Sequence, residues 1–287
     1  RAARPGCVAG FGGYPAFPAL AAATLLRLPR LIHEQNGVLG RVNRLFARRV
    51  DAVACGTWPL TAEPAGARLV HIGNPVRASV RPAPYAPPAA DGPARLLVFG
   101  GSQGASVFAR AVPPALAALP EGLRARLRLV MQARAEEVAA VRAGCAASGV
   151  AAEVAPFFED MPARIAAAHL VAARAGASTI AELGVIGRPA LLVPFAAAMD
   201  DHQSANARAF AAGGAGEVIA EGALDPEALA AALERLLADP ARLTAMADAA
   251  RERGRPDAAA ALADLVETLA QGSAVESDAG PERRPAP

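Results

Sequence analysis

The sequence predicts an α/β protein of two doubly wound, parallel-sheet domains, the first of them incomplete. Three observations carry this. Short apolar runs alternate almost throughout with Ala- and Leu-rich stretches of helical length, the pattern of parallel strands joined by crossover helices. Glycine loops follow several apolar runs, at 10–13, 100–104 and 176, where open sheets bind ligands. A proline-rich stretch, ASVRPAPYAPPAADGPA at 78–94, divides the alternation in two and reads as a linker.

Composition bounds the function. A chain of 287 residues has room for two cores of ordinary size. Every one of its 29 basic residues is Arg, and the net charge of +2 is too small to imply nucleic acid. Cys7, Cys55 and Cys145 are odd in number and set among small or apolar residues, which suits buried thiols better than disulfides or a metal site. No apolar stretch reaches the length of a membrane span.

Taken in order, CVAG ends a strand, and residues 15–28 read as a helix entered through prolines. LIHEQN is a strand, VLGRVNRLFARRV an amphipathic helix, DAVACG a strand, and RLVHIGNPV a strand running into an Asn-Pro turn. After the linker come the strand ARLLVFGG, the helix SQGASVFARAVPPALAAL, the strand RLRLVMQA and the helix EEVAAVRAGCAASG. VAAEVAPFF, HLVAARAG and PALLVPF are further strands; MPARIAAA, ASTIAELGVIG and DDHQSANARAFAAGG are the helices that accompany them. From Leu224 the chain is helical, with Asp225-Pro226 and Asp239-Pro240 as helix starts, and from Gln271 it is polar and proline-rich. The expected divisions are a partial domain over 1–77, the linker 78–94, and a second domain over 95–255. A helix over 256–270 could return to the first domain, and a disordered tail occupies 271–287.

The strongest local signal is LLVFGGSQGAS, a strand, a glycine loop and a helix start in immediate succession. Such a helix start presents backbone N–H groups and a favourable dipole to a phosphate. Its spacing is neither that of a dinucleotide fingerprint nor of a P-loop, and the following strand ends in Met131-Gln132-Ala133 without an acid for an NAD ribose. A tight turn with no ligand is the bland alternative. In AARAGASTIAELG, Ala177, Thr179 and Glu182 share a helix face, and the Glu182 carboxylate could accept both hydroxyls of a ribose. Thr179 and Glu182 also have the spacing of a capping box; the two readings weigh equally. DDHQSANA suits sugar hydroxyls better than a metal, because Gln203 and Asn206 are amides. His33 has no Ser or Cys partner nearby, and a lone His there is more often structural than catalytic.

Seven segments in order, GFGGYP at 10–15, HEQNG at 33–37, GNPVR at 73–77, GGSQGA at 100–105, FFEDM at 157–161, RAGASTIAE at 174–182 and DDHQSANA at 200–207, resemble the MurG family of bacterial glycosyltransferases. The resemblance runs to about residue 270. It implies two Rossmann-like domains of the GT-B type and transfer of N-acetylglucosamine from UDP-N-acetylglucosamine to the lipid-linked muramoyl-pentapeptide of peptidoglycan synthesis. The reaction would invert the anomeric carbon, with no cofactor and no metal, and no nucleic acid as partner. By position, Ser102 and the GGSQG amides would contact the diphosphate, and Phe158 the uracil through its backbone or ring edge. Ala177, Ser178, Thr179, Ile180 and Ala181 would line the nucleotide pocket, Glu182 would take the ribose, and Gln203, with His202, would read the sugar. Asn36 and Arg77 would approach the donor from the first domain's side. Gly12, Gly13, Tyr14 and His33 would serve the acceptor.

The family opens on a strand and a glycine loop of the form G-x-G-G-H, which contributes to the catalytic base; no such segment occurs here. The catalytic base is therefore expected in a missing N-terminal loop, with Glu34 as the one candidate in this chain. The absent elements amount to about 90 residues if a βαβ unit takes about 30. A second reading follows, a remnant that binds the UDP-sugar without transferring it. The helix VLGRVNRLFARRV sets Arg41, Arg44, Arg48 and Arg49 beside Leu39, Val42, Leu45 and Phe46. It fits an interfacial helix at the cytoplasmic face of the bacterial inner membrane, or equally a helix packed on its own sheet.

Overall fold

The computed structural model describes residues 5–101, 106–273, 275 and 278. They form two compact units, one of the residues up to Val76 together with those from Arg255 onward, the other of Arg77–Gly254.

In the first unit, β1 (Val8–Gly10), β2 (Arg30–Glu34), β3 (Ala52–Cys55) and β4 (Leu69–His71) form a parallel sheet in chain order. Gly12 and Gly13 turn the chain out of β1 at φ 82° and 69°, values that glycine adopts without strain. Helix α1 (Gly13–Leu25) follows at once. It ends three residues before the expected point because Pro29 bars Leu28 from the helical region, and Arg27 closes the turn at φ 53°. Helix α2 is only Arg41–Phe46. Leu39, Val42 and Phe46 are buried with Leu20, Ile32 and Val53 on one face of the sheet. On the opposite face α11 (Ala258–Ala270) packs Leu262, Leu265 and Leu269 against Leu31, Ala52 and Ala54. Of the segment expected as a disordered tail, Val275 packs against this same cluster. Asp278 hydrogen-bonds β4 twice, its N–H to Leu69 O and its carboxylate from His71 N–H, both at 2.8 Å.

The second unit carries a six-stranded parallel sheet in the order β10-β9-β8-β5-β6-β7. The strands are β5 (Ala94–Phe99), β6 (Leu127–Gln132), β7 (Ala151–Ala155), β8 (Leu170–Ala173), β9 (Ala190–Leu192) and β10 (Gly216–Val218). Side chains alternate across the sheet. Leu96, Val98, Leu129 and Met131 pack under α3 (Ser106–Ala118), α5 (Val138–Ala147) and α9 (Pro226–Leu237). The remaining helices are α4 (Glu121–Arg126), α6 (Met161–Ala167), α7 (Ala177–Ile186), α8 (His202–Ala212) and α10 (Pro240–Arg253). Helix α7 closes on α10 where Gly184 meets Gly254, and a Cβ on Gly254 would sit 2.6 Å from the Gly184 carbonyl. Asp225 and Asp239 cap α9 and α10 by accepting from the N–H groups three residues on, at 2.7 and 2.9 Å. β10 and the short α4 went unread in the sequence.

Residues 78–94 are no free tether. Arg188, fully buried, donates to the carbonyls of Ala83 and Pro84 as well as to Ala166, Ile186 and Gly187. The Tyr85 hydroxyl donates to His169 O at 2.9 Å. Burial lowers the Arg188 guanidinium to a pKa of about 10, and five backbone carbonyls hold the charge in place.

Candidate functional site

In an open parallel sheet, ligands bind beyond the carboxyl ends of the strands where the order reverses. Here the chain runs β5, β6, β7 toward one edge, then returns to β8 on the other side of β5. A cavity of about 650 Å³ lies at that point. Gly100 and Gly101 line it after β5, Arg174 and Gly176 after β8, and Ala177, Ser178 and Thr179 from the first turn of α7. Gly176 is the N-cap of α7 and no side chain caps the helix. The capping-box reading of Thr179 and Glu182 is thereby corrected: Thr179 stands inside the first turn rather than at the cap, so the leading N–H groups are left for a ligand.

Gln203 stands on the cavity wall. Its Oε1 accepts from the N–H of Phe195 at 3.0 Å and of Ala175 at 3.3 Å, which leaves its amide N–H₂ as the donating end. Asn206, buried, donates to Ala175 O at 2.9 Å. It pins the loop after β8 instead of facing a sugar hydroxyl. His202 donates through Nδ1 to Met199 O at 2.7 Å.

Two residues expected to approach the donor, Arg77 and Glu182, meet in a 3.0 Å ion pair. Ile180 is buried beneath the first turn of α7, and Ala181 follows it in the same helix. Phe158 is not on the cavity wall. It is buried, with the Arg164 guanidinium 4.0 Å over one face of its ring, which leaves its backbone or ring edge for the expected uracil contact. Ser102 lies outside the described residues.

Arg174 is the group the sequence reading missed. Its guanidinium is buried, donates to the carbonyls of Val193 and Pro194 at 3.2 and 3.3 Å, and reaches Glu221 at 2.5 Å. Burial raises the Glu221 carboxyl, but the Arg174 hydrogen bond, the Ala196 N–H and the charges of Arg174 and Arg110 outweigh it and set the group below its usual value. The pair spans 47 residues of sequence, and only the folded sheet brings it together.

The polar residues of the first unit are arranged differently. His33 is buried, with Nε2 3.1 Å from Gly73 O and Nδ1 3.2 Å from Gln35 Nε2. Burial holds its pKa low against the opposing Gly73 bond and Glu34 charge. Both ring nitrogens are engaged by these internal contacts. Glu34, also buried, accepts from Asn36 N and Nδ2, Gly40 N and Asn43 Nδ2 at 2.8–3.2 Å. A carboxylate so occupied organises the turn between β2 and α2; as a base it would first have to leave four donors. Tyr14 is 81% exposed beside the Gly12–Gly13 turn. Among the described residues no group of three or more His, Cys, Asp or Glu could hold a metal ion.

Two parallel Rossmann-like sheets, one with a polar crevice at its topological switch point, are the fold of the GT-B type, and the family matches make the chain a glycosyltransferase. Residues 95–262 match the Glycosyltransferase family 28 C-terminal domain and residues 1–55 the Glycosyltransferase family 28 N-terminal domain. The chain is 54% identical over 275 residues to the UDP-N-acetylglucosamine--N-acetylmuramyl-(pentapeptide) pyrophosphoryl-undecaprenol N-acetylglucosamine transferase of Mesorhizobium japonicum, covering 95% of this chain and 73% of that one. It is 51% identical to the transferase of the same description from Brucella abortus, covering 96% and 74%. The crystal structure of MurG from Acinetobacter baumannii superposes with a TM-score of 0.78 at 35% identity, over 91% of this chain and 74% of that one. The chain belongs to glycosyltransferase family 28, within the MurG family.

Proposed function

We propose that this chain transfers N-acetylglucosamine from UDP-N-acetylglucosamine to the undecaprenyl-pyrophosphoryl N-acetylmuramyl-pentapeptide, the step that completes the lipid-linked disaccharide of peptidoglycan. The switch-point cavity carries the proposal: uncapped N–H groups of α7 for the diphosphate, the Gln203 amide for a sugar hydroxyl, and Glu182 beyond them for the ribose. Ala177, Ser178, Thr179, Ile180 and Ala181 supply the wall. The acceptor hydroxyl attacks the anomeric carbon with inversion, its proton passes to a base, and the bond to the β-phosphate oxygen breaks to release UDP. Identity of 54% to a transferase favours transfer over a remnant that only binds.

The acceptor is membrane-bound, and the first unit offers a surface for it. Phe11, Tyr14, Phe17, Leu25, Leu26 and Leu45 are all exposed. Of the apolar residues on and beside α2, Leu39, Val42 and Phe46 are buried in the sheet core and Leu45 joins this surface. The surface centres on α1, with Arg41, Arg44, Arg48 and Arg49 nearby in sequence, and supports peripheral attachment to the cytoplasmic face of the inner membrane. Among the described residues no helix is long and apolar enough to cross a membrane.

The experiment is turnover of labelled UDP-N-acetylglucosamine with the lipid-linked acceptor in vesicles. Product is expected from the intact chain and at least tenfold less from Glu182→Ala, about 1.4 kcal/mol or more. UDP affinity unchanged in that variant would remove Glu182 from the donor site.

A further inference from the structure

The switch-point cavity holds more positive charge than its internal contacts use. Four charged residues line it, Arg110, Arg134, Arg174 and Glu221, a formal excess of two positive charges. Arg174 and Glu221 neutralise each other at 2.5 Å. Arg110 sits in the second turn of α3, and Arg134 lies two residues past the end of β6. Neither guanidinium makes a hydrogen bond or ion pair with another described residue. The two come from different strand–helix connections, and the parallel sheet delivers both to the same end of β5 and β6.

We propose that Arg110 and Arg134 are a diphosphate clamp for the nucleotide donor, a role that rests on the reading of this cavity as the UDP-sugar site. The two charges match those of the bound diphosphate. When the anomeric C–O bond breaks, its electron pair goes to the β-phosphate oxygen and the leaving UDP gains one negative charge. The acceptor proton goes to the base and the new glycosidic bond closes the balance. Guanidinium groups fixed beside that oxygen favour the departing state more than the bound donor, and a guanidinium meets phosphate oxygens through paired N–H groups. The uncapped start of α7 alone supplies only a partial charge. An arginine kept merely for solubility needs no cavity wall; these two stand on one.

The test uses the full chain with UDP and uridine as probes, read by titration at low and high salt. Because both arginines are exposed, Arg110→Gln and Arg134→Gln should keep the wild-type melting temperature. Each is expected to weaken UDP about tenfold, the loss of one charge-assisted hydrogen bond. The double variant should lose more, with uridine affinity unchanged, a shallower salt dependence and a lower kcat. Glu182→Ala should weaken uridine and UDP alike. If the double variant binds UDP within twofold of wild type while Glu182→Ala weakens both probes, the clamp is wrong and the donor site stands. Equal weakening of uridine by the arginine variants would also overturn the clamp, because uridine carries no diphosphate. Failure of the wild-type chain to bind either probe would overturn the donor site and the clamp together.

Discussion

In the unit spanning Arg77–Gly254 the chain doubles back across its sheet between β7 and β8, whereas the four described strands of the other unit follow one another in chain order. Both units have glycine loops at the carboxyl ends of strands. Only the reversal sends successive connections to opposite sides of a strand pair and leaves a crevice between them. The second unit accordingly presents a charged cavity with donors directed into it. The first buries its polar groups, with the Asn43 amide donating to His33 O and Glu34 and the His33 ring meeting Gly73 O, and exposes apolar side chains instead.

The sharpest way to break this comparison is Arg174→Met. It removes the ion-pair partner of the half-buried Glu221 carboxylate and leaves it the Ala196 N–H, at a cost of about 3 kcal/mol, and UDP binding should disappear with it. Denaturant unfolding and UDP titration check both halves. Leu31→Ala, in the core under α11, should cost the first unit about 3 kcal/mol while leaving UDP affinity within twofold. A shared loss of affinity would show that the units do not act separately.

A smaller effect is set by pH. Burial depresses His33 in one unit, and burial with the charges of Arg95, Arg188 and Arg126 depresses His169 in the other. Below about pH 6.5 the unfolded chain takes up protons that the folded chain resists. Their contribution is therefore present above that pH and is lost as pH falls toward the depressed folded values. Urea midpoints should drop between pH 7.5 and 5.5, and His33→Gln should flatten part of that drop. The smallest effect on stability is expected of Leu25→Ser with Leu26→Ser. These side chains are 84% and 68% exposed, so unfolding should shift by no more than about 0.5 kcal/mol, while sedimentation with anionic vesicles should fall several-fold.

Most of the fold was legible because parallel strands buried on both faces read as apolar runs, as in LLVF and LLVP, and because Asp-Pro marks helix starts. β10 was not legible: Gly216-Glu217-Val218 has too little apolar character to stand out. Helix α2 read equally as interfacial or as packed on its own sheet, and the sheet buries Leu39, Val42 and Phe46 while Leu45 stays exposed. At the site, the glycine loops and the Gln203 amide were visible from residue type and spacing. Arg110, Arg134, Arg174 and Glu221 were not, since arginine is the only basic residue in the chain and nothing local sets these four apart. Their common signal is position, Arg134, Arg174 and Glu221 close beyond a strand end and Arg110 early in the helix that follows one, and it gains meaning only once the strand order is known.

Hydrogen exchange with and without UDP-N-acetylglucosamine tests the central claim most directly. A donor site at the switch point of the second unit predicts protection in peptides covering 106–110, 174–182 and 195–206, with the sheet of the first unit unaffected. Protection confined to 8–46, with none at the start of α7, would contradict it.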